Sequence, residues 1–349
     1  MPSLDRQRGF LYQRFFTLKQ QSGVGVVTGL PAGCDRSVAL KGYSPAKLAL
    51  GRSAPADAFA AGREWPDRTD DGKREVEISD TYDLTPLTAG YLAGFAFGQA
   101  ATSGAEAPYT HVFTVQTGID LPVTAVIDQM PGGKVMFPDL CLADWSVSGS
   151  GTSEQILQSK ATWKGSGRFD DDSATFSGYT APALSRSAYL RMGGLSFQIG
   201  EYGSEAETGA KIERFEYRFA NNPFDGHRPG TGLEAGYAEA GARRAHTFTF
   251  EALRDSSDTL LGWYKDKTRL SLILTVKADD WASSGQQIEI RIPQLEIVKC
   301  DPTGGDSQSV SVETAVLFDP DGAGYDAANP SGVKITVKNA EPAHLAELA

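Results

Sequence analysis

Two segments of this chain alternate apolar and polar residues with a period of two, and this pattern constrains the fold more than any other feature. In KIERFEYRF (residues 211–219) the aromatic residues share one face and the charged residues share the other. QIEIRI (residues 287–292) alternates in the same way. Side chains of a strand point alternately to opposite sides of its sheet, so each segment fits a strand with one buried and one solvated face. Such strands are typical of antiparallel sheets, and the pattern predicts a mainly β fold.

Two short helices are predicted among the strands. LTPLTAGYLAGFAF (84–97) has apolar residues at helical spacing, and Pro86 stands where a first helical turn tolerates proline. Residues 256–265 form a short amphipathic pattern behind a Ser/Asp capping candidate. Further β-type runs lie at residues 111–115, 121–128, 134–148, 155–169, 195–199, 246–251, 270–277, 310–318 and 333–337.

The two halves of the chain show an internal repeat. Both run strand, long loop, strand, helix and several strands, with the long loops at residues 42–73 and 221–244. One stretch aligns without a gap at an offset of 155 residues. The pairs at this offset are Pro138–Pro293, Leu140–Leu295, Leu142–Ile297, Gly149–Gly304, Leu157–Val312 and Trp163–Phe318. The shared order of elements predicts a duplication.

The domain organisation follows from length and from the repeat. A chain of 349 residues suits two domains of about 150 residues each. We expect a first β domain over residues 1–180 and a second over 188–349. The polar, Gly- and Pro-containing stretch 170–187 is predicted to be the linker between them.

Charge and cysteine usage exclude several classes of protein. The net charge is −11, with 33 Lys and Arg against 44 Asp and Glu, so the chain should not grip the phosphates of nucleic acid. Its three cysteines, Cys34, Cys141 and Cys300, are widely spaced and are expected to be reduced. The N-terminus lacks the apolar core of a signal peptide, and the apolar stretch 87–97 is too short to span a bilayer.

No residue pattern points to catalysis, a metal or a cofactor. The four histidines are not paired at metal-ligand spacing, and neither a GxSxG motif nor a P-loop is present. The acidic run at residues 170–172 lacks the glycine and glutamate of a calcium loop. Trp145, Trp163 and Trp263 occupy core-like positions, which favours packing over a sugar-binding platform. We therefore expect a protein that is not an enzyme and holds no cofactor.

Several segments resemble the major tail tube proteins of long-tailed bacteriophages, in their two-domain form. The first half carries DLTPLTAGYLAGFAFGQA, HVFTV and KVMFPDLCLADWSVSGSG. The second half carries KIERFEYRFANNPFDG, HTFTFEAL, DTLLGWYKDKTRLSLIL and QIEIRIPQLEIVKCDPTGGDSQSVSVETAVLF. The resemblance runs from about Thr17 to Asn339 and rests on the order of these strand and turn patterns.

The resemblance implies tandem antiparallel β-sandwich or barrel domains, each with one short flanking helix. Family members form stacked rings around a channel through which DNA passes during ejection, and two-domain members close as trimers with pseudo-sixfold symmetry. The expected partners are further copies of the chain and other tail proteins, such as the tape measure, tail terminator and distal tail proteins. DNA passes without specific binding, no membrane anchor is expected, and the location is the virion tail after assembly in the host cytoplasm.

The long loops are predicted to contact stacked rings or neighbouring subunits. A loop of this length is costly to order without a partner. Trp65 and Pro66 in the first loop, and Phe224 and Asp225 in the second, are the candidate contact residues.

Acidic residues are predicted to line the channel, because a basic wall would hold DNA by its phosphates. The polar faces of the two alternating segments offer Glu216 and Glu289. Arginines share these faces, so a near-neutral wall is the alternative, and the acidity could serve solubility alone.

A second function remains open from sequence. A surface β-sandwich module that binds carbohydrate or mediates adhesion would also explain the strands and the five tryptophans. It would be a monomer or a small oligomer with exposed aromatic residues, and it would not require an internal repeat.

Overall fold

The structure is a computed structural model. It describes residues 13–37, 40–42, 45–53, 70–116, 118, 120–130, 132–184, 187–201, 206–207, 212–224, 239–241, 244–253, 259–303, 309–317 and 333–348.

The chain is mainly β, as the alternation predicted. Strands of the first half are β1 (Gln13–Phe16), β2 (Arg36–Ser37), β3 (Leu40–Gly42), β4 (Lys47–Ser53), β5 (Asp70–Asp83), β6 (Gly98–Ser103), β7 (Tyr109–Val115), β8 (Thr124–Met130), β9 (Gly133–Ser150) and β10 (Gln158–Gly165). Those of the second half are β11 (Leu190–Glu201), β12 (Ala206–Glu207), β13 (Ile212–Ala220), β14 (Ala245–Leu253), β15 (Leu270–Ala278), β16 (Gln287–Thr303), β17 (Ser309–Val316) and β18 (Lys334–Asn339). The described helices are α1 (Pro86–Phe97), α2 (Thr259–Asp266) and α3 (Trp281–Ser284).

Every pairing between these strands is antiparallel, and the pairings form three ladders. The longest ladder runs β4–β5–β10–β9–β13–β14–β17–β16 and crosses from one half to the other. A second runs β2–β1–β8–β9, and a third runs β12–β11–β15–β16–β18–β7–β6. The long strands β9 and β16 each belong to two ladders, because their N-terminal and C-terminal parts pair with different neighbours.

The pairing order of the first half recurs in the second half. The corresponding elements are β1 and β11, β2 and β12, β3–β4 and β13, β5 and β14, α1 and α2, β8 and β15, β9 and β16, and β10 and β17. Even the strand after β17 has a partial counterpart. Met136 of β9 bridges Asp170, and Arg291 of β16 pairs with Lys334 of β18. The hairpin β6–β7 has no counterpart among the described residues of the second half.

Irregularities in β9 and β16 fix how the two halves correspond. Ala143 is skipped in the pairing of β9 with β10, and Val298 is skipped in that of β16 with β17. These two bulges lie 155 residues apart. Each strand also has an irregularity nearer its N-terminus, opposite β8 in β9 and opposite β15 in β16. Pairing resumes at Leu140 and Leu295, which are again 155 residues apart. The predicted offset therefore holds throughout this strand.

The offset changes in the next strand. Leu140 pairs with Gly165, whereas Leu295 pairs with Val316, so β10 and β17 correspond at 151 residues. The predicted matches Leu157–Val312 and Trp163–Phe318 are consequently out of register by four residues, and Phe318 itself lies outside the described part. The connection after β16 is shorter, a difference that gapless alignment could not reveal.

The predicted helices are present but differ in burial. Helix α1 starts behind Thr85, whose Oγ1 accepts a hydrogen bond from the Thr88 amide, and ends at Gly98 with φ of 80°. All twelve of its residues are buried. Helix α2 has no buried residue.

The prediction of an irregular loop over residues 42–73 is wrong in part. Strand β4 and the beginning of β5 occupy residues 47–53 and 70–73, and β4 pairs along β5. KLALGRS lacks strict alternation, so pairing rather than pattern makes it a strand. Residues 54–69 lie outside the described part.

Residues 170–184, in the predicted linker, pack on the first half. Besides the Asp170 bridge, Phe176 and Tyr179 pack against a small cluster that includes Phe15 and Cys34. The Tyr179 hydroxyl donates to the Cys34 carbonyl at 2.8 Å. The division at 170–187 stays a prediction.

All three cysteines are buried and free of disulfides. No described helix has the length and apolar character needed to cross a membrane. Among the described residues, no group of three or more His, Cys, Asp or Glu is placed to hold a metal ion.

Candidate assembly interface

The two halves meet at a continuous pairing of β9 with β13. It runs from Arg214 opposite Ser150 to Ala220 opposite Asp144. On its polar side, the Arg218 guanidinium donates to the Asp144 carboxylate through Nε at 2.8 Å and Nη2 at 2.6 Å. These hydrogen bonds, with the nearby negative charge, raise the pKa of Arg218. A bidentate contact between a guanidinium and a carboxylate favours one register of the two strands.

The other side of the β9–β13 junction is apolar. Phe219 packs edge-on against Phe97 at the end of α1, with ring centroids 5.0 Å apart, and Phe97 also contacts Trp145 at 6.3 Å. Asn221 follows directly after β13, and its side-chain Nδ2 donates to the carbonyls of Ala96 and Leu142, both at 2.9 Å. The junction therefore combines strand pairing, a helix end and a buried aromatic cluster.

Each end of the longest ladder carries one half of such a junction. The C-terminal part of β16, residues 295–303, pairs with β17. Leu295 still pairs with Leu270 of β15 on the other edge, but among the described strands none pairs with that edge beyond it. At the opposite end, β4 pairs with β5 alone among the described strands. Since β16 corresponds to β9 and β4 to β13, the chain presents both partners of the junction that it already forms internally.

The internal register predicts which residues of these two edges would face each other. Ser146 lies opposite Arg218 in the β9–β13 pairing. The corresponding residues are Asp301 on β16 and Lys47 on β4. Their side chains are 58% and 77% exposed, and they carry opposite charges. The two edges are complementary at this position.

One face of the longest ladder is polar along its whole width, because the other face carries the core. Its acidic residues are Glu75, Glu77, Asp83, Asp144, Glu216, Glu251, Glu296, Asp301 and Glu313. Among the side chains that the structure describes, its basic residues are Lys47, Lys73, Lys160, Lys164, Arg214, Arg218 and Lys299. Lys41 of the adjoining β3 also reaches this face and lies 3.8 Å from Asp83. Acidic side chains therefore outnumber basic ones on this face.

The structure separates the two predicted channel residues. Glu216 is exposed on β13, in the longest ladder, with Ser148 and Thr249 as its neighbours across the strands. Glu289 is half-buried on β16, in the third ladder, and its Oε1 lies 3.9 Å from Arg291 Nε. The two residues lie on different ladders and are not brought together.

Of the four predicted contact residues, the structure describes only Phe224. This side chain is 39% exposed, and its amide donates to the Glu239 carbonyl at 2.7 Å. Trp65, Pro66 and Asp225 lie outside the described residues. Sequence analysis missed the edges of β4 and β16, although the Pro138–Pro293 offset could have identified β16 as the counterpart of β9.

Neither a protein-family model nor a curated protein sequence matches this chain.

Proposed function

We propose that this chain is a structural subunit that joins head to tail into closed rings, and that the rings stack into a tube. The observation that carries this proposal is the β9–β13 junction, whose two partners recur as the outer edges of β16 and β4. A contact between different surfaces of identical chains closes into a ring when its rotation permits. The internal junction provides one such rotation within the chain itself.

The resemblance to two-domain tail tube proteins gives this ring its biological setting. The chain would form the tail tube of a long-tailed bacteriophage, with each half a β-sandwich domain and three chains providing six similar halves. The longest ladder would continue from chain to chain around a channel. Its polar face, including Glu216, would line that channel, and Glu289 would lie elsewhere.

The excess of acidic residues on this face supports passage of DNA. A basic wall would bind phosphates by releasing their counterions, whereas an acidic wall leaves water and ions between protein and DNA. The proposed subunit carries out no chemistry and needs no cofactor. Its partners are further copies of itself and the proteins that begin, measure and end the tail.

The decisive experiment reverses the charges at the two edges. Lys47→Glu and Asp301→Lys, made singly, should each place like charges opposite one another and reduce ring and tube formation in electron micrographs. Mixing the two single variants should restore opposite charges at both kinds of contact between unlike chains. The rescue should be partial in a ring of three chains, because one contact must then join two like chains. The double variant should assemble better than either single variant, because it restores an opposite-charge pair at every contact.

Lys160→Glu is the matched control. Lys160 is exposed on the same polar face, but β10 lies inside the ladder, so the same change in net charge should leave assembly unaltered. A wild-type protein that remains monomeric at all concentrations and binds glycans would overturn the proposal and favour the carbohydrate-binding module.

The stoichiometry is tested separately. Intact rings released from the tube should have the mass of three chains in a native mass measurement. A mass of six chains would replace the trimer by a hexamer while leaving the edge contact in place.

A further inference from the structure

The two corresponding helices differ sharply in their surroundings. Every residue of α1 is buried, whereas none of α2 is. Helix α2 nevertheless leaves apolar surface exposed. Leu260, Leu261 and Trp263 are half-buried and pack against the main core on one side, and Tyr264 is 38% exposed. Among the described residues, part of the structure that covers α1 has no counterpart over α2.

Part of the cover of α1 comes from the second half of the chain, and part comes from β6, β7 and β9 of the first half. Phe97 contacts Phe219 and His246, with ring centroids 5.0 and 5.9 Å apart. The amide of Asn221 donates to Ala96, as described above. Leu345, near the C-terminus, packs close to Gly94 in the next turn of the helix. The C-terminal end of the first-half helix is therefore covered by the half that follows it across the β9–β13 junction, at Phe97 and Ala96.

Helix α2 stands in the same relation to the open edge of the ladder. It packs on β16, as α1 packs on β9. Beyond β9 lies β13, which supplies Phe219; beyond β16 there is an edge. The half that would follow across that edge is the first half of another copy, because β4 is the counterpart of β13.

The surface that β4 would offer to α2 can be named from the pairing. Leu48 occupies the position of Phe219, by their places opposite Val76 of β5 and His246 of β14. Ala46, the residue just before β4, lies on the same face as Leu48, two residues earlier in the chain. Both are partly buried and pack at the border of the main hydrophobic core. They are apolar residues on the face of the sheet that carries the core, next to an edge.

We propose that the apolar surface of α2 docks on β4 of a second copy, with Trp263 and Tyr264 packed against Leu48 and Ala46. This inference rests on the proposed function, because it requires the head-to-tail ring. It adds that each contact between chains is a two-part contact, in which a helix is buried beside a paired strand. Helix α2 then gains the cover that α1 has within the chain.

The first test replaces the apolar surface by charge. Tyr264→Glu should leave the chain folded, as judged by circular dichroism and thermal unfolding, because Tyr264 is exposed and lies outside the core cluster. It should raise the concentration needed for assembly by roughly tenfold or more, as expected for loss of a central aromatic anchor. Asp266→Lys, on the exposed end of the same helix, is the control and should assemble like the wild type.

The second test does not depend on assembly being lost. Tyr264→Cys and Leu48→Cys are made in separate chains, mixed, assembled and treated with a short bismaleimide. Heterodimers should form in tubes and should not form when the mixture is diluted into monomers before the reagent is added. Lys160→Cys in place of Leu48→Cys is the control, because Lys160 lies on the opposite face of the ladder; the native cysteines are buried and should not react.

The outcomes separate this inference from the proposed function. Normal assembly of Tyr264→Glu, together with no Tyr264–Leu48 heterodimer in intact tubes, would overturn the docking of α2 while the response to the Lys47 and Asp301 variants still supports the ring. If the wild-type chain forms neither rings nor tubes, the ring itself is wrong, and the docking falls with it.

Discussion

Arg14 is buried between two carboxylates and ties two ladders together. Its Nε and Nη2 donate to the two Asp128 oxygens at 2.6 and 2.8 Å, and its Nη1 pairs with Asp80. Asp80 also accepts a hydrogen bond from Tyr82 at 3.1 Å. Burial raises the pKa of Asp80, although the positive charge of Arg14 opposes this effect. The guanidinium is therefore what makes two nearby acidic groups tolerable in the interior.

Arg14→Leu should destabilise the chain by about 3–5 kcal/mol, because it leaves two carboxylates buried without their cation. Denaturant unfolding of monomeric protein measures this change. Arg214→Leu is the comparison: its ion pair with Glu251 at 3.2 Å is largely exposed and should contribute within about 1 kcal/mol. Equal losses for the two variants would contradict this account of Arg14.

His344 makes stability depend on pH. Its imidazole is buried beside His111 and near Arg36, and burial, with these neighbours, lowers its pKa from 6.5 to about 3. The unfolded chain therefore binds a proton below pH 6.5 that the folded chain does not. The contribution of His344 is fully present above pH 6.5 and is lost as the pH falls from 6.5 towards 3, with a slope approaching about 1.4 kcal/mol per pH unit.

The prediction is checked by comparing unfolding free energies of wild type and His344→Gln between pH 7.5 and pH 4. The variant should show a shallower loss of stability on acidification. Parallel curves would show that His344 is not the group that titrates. His246, whose pKa burial also lowers to about 3, should preserve part of the slope in the variant.

At the scale of an element, the irregularity of β9 opposite β8, just before Leu140, anchors a neighbouring loop. Asp139 adopts a left-handed φ of 60° and is buried. Its carboxylate accepts hydrogen bonds from the Gly25 amide at 2.7 Å, from Gln21 at 3.1 Å and from the Ser166 hydroxyl at 3.1 Å. The irregularity thus holds the segment after β1 and the turn after β10.

Asp139→Ala should cost about 2–4 kcal/mol, because it leaves buried donors unsatisfied and puts a residue that disfavours φ above zero at the irregularity. Asp139→Asn should cost less, since asparagine tolerates that backbone and retains one acceptor oxygen. Hydrogen exchange should show faster exchange at Gly25 in the alanine variant. Protection unchanged at that amide would show that the loop is held by other contacts.

The elements show how far sequence patterns reach. KIERFEYRF and QIEIRI became strands because alternation reports directly on one buried and one solvated face. Strand β4 was missed because an edge strand is specified by its neighbour β5. The pairing of β9 with β13 was not predictable either, because no local pattern in KVMFPDLCLADWSVSGS indicates which strand it pairs with. Without that junction, the edges of β4 and β16 could not be recognised as a candidate interface.

At the scale of the whole molecule, the two halves depend on each other. The β9–β13 and β7–β18 pairings both cross between them, and α1 is buried by residues of the second half. Fragments 1–184 and 187–349 should therefore be poorly folded when expressed alone and should copurify as a folded complex when expressed together. Two fragments that each unfold cooperatively, at the temperature of the intact chain, would show instead that the halves are independent.

The hairpin β6–β7 is encoded once in a chain whose other described elements mostly occur twice. A chain with a single unit must place the same feature at every position of its assembly. Fusion of two units removes this constraint, because a mutation or insertion can enter one copy while the other retains the ancestral form. In the proposed ring, the hairpin would therefore stand at alternate positions, and a partner with half the rotational symmetry of the ring would find one binding site for each of its own subunits.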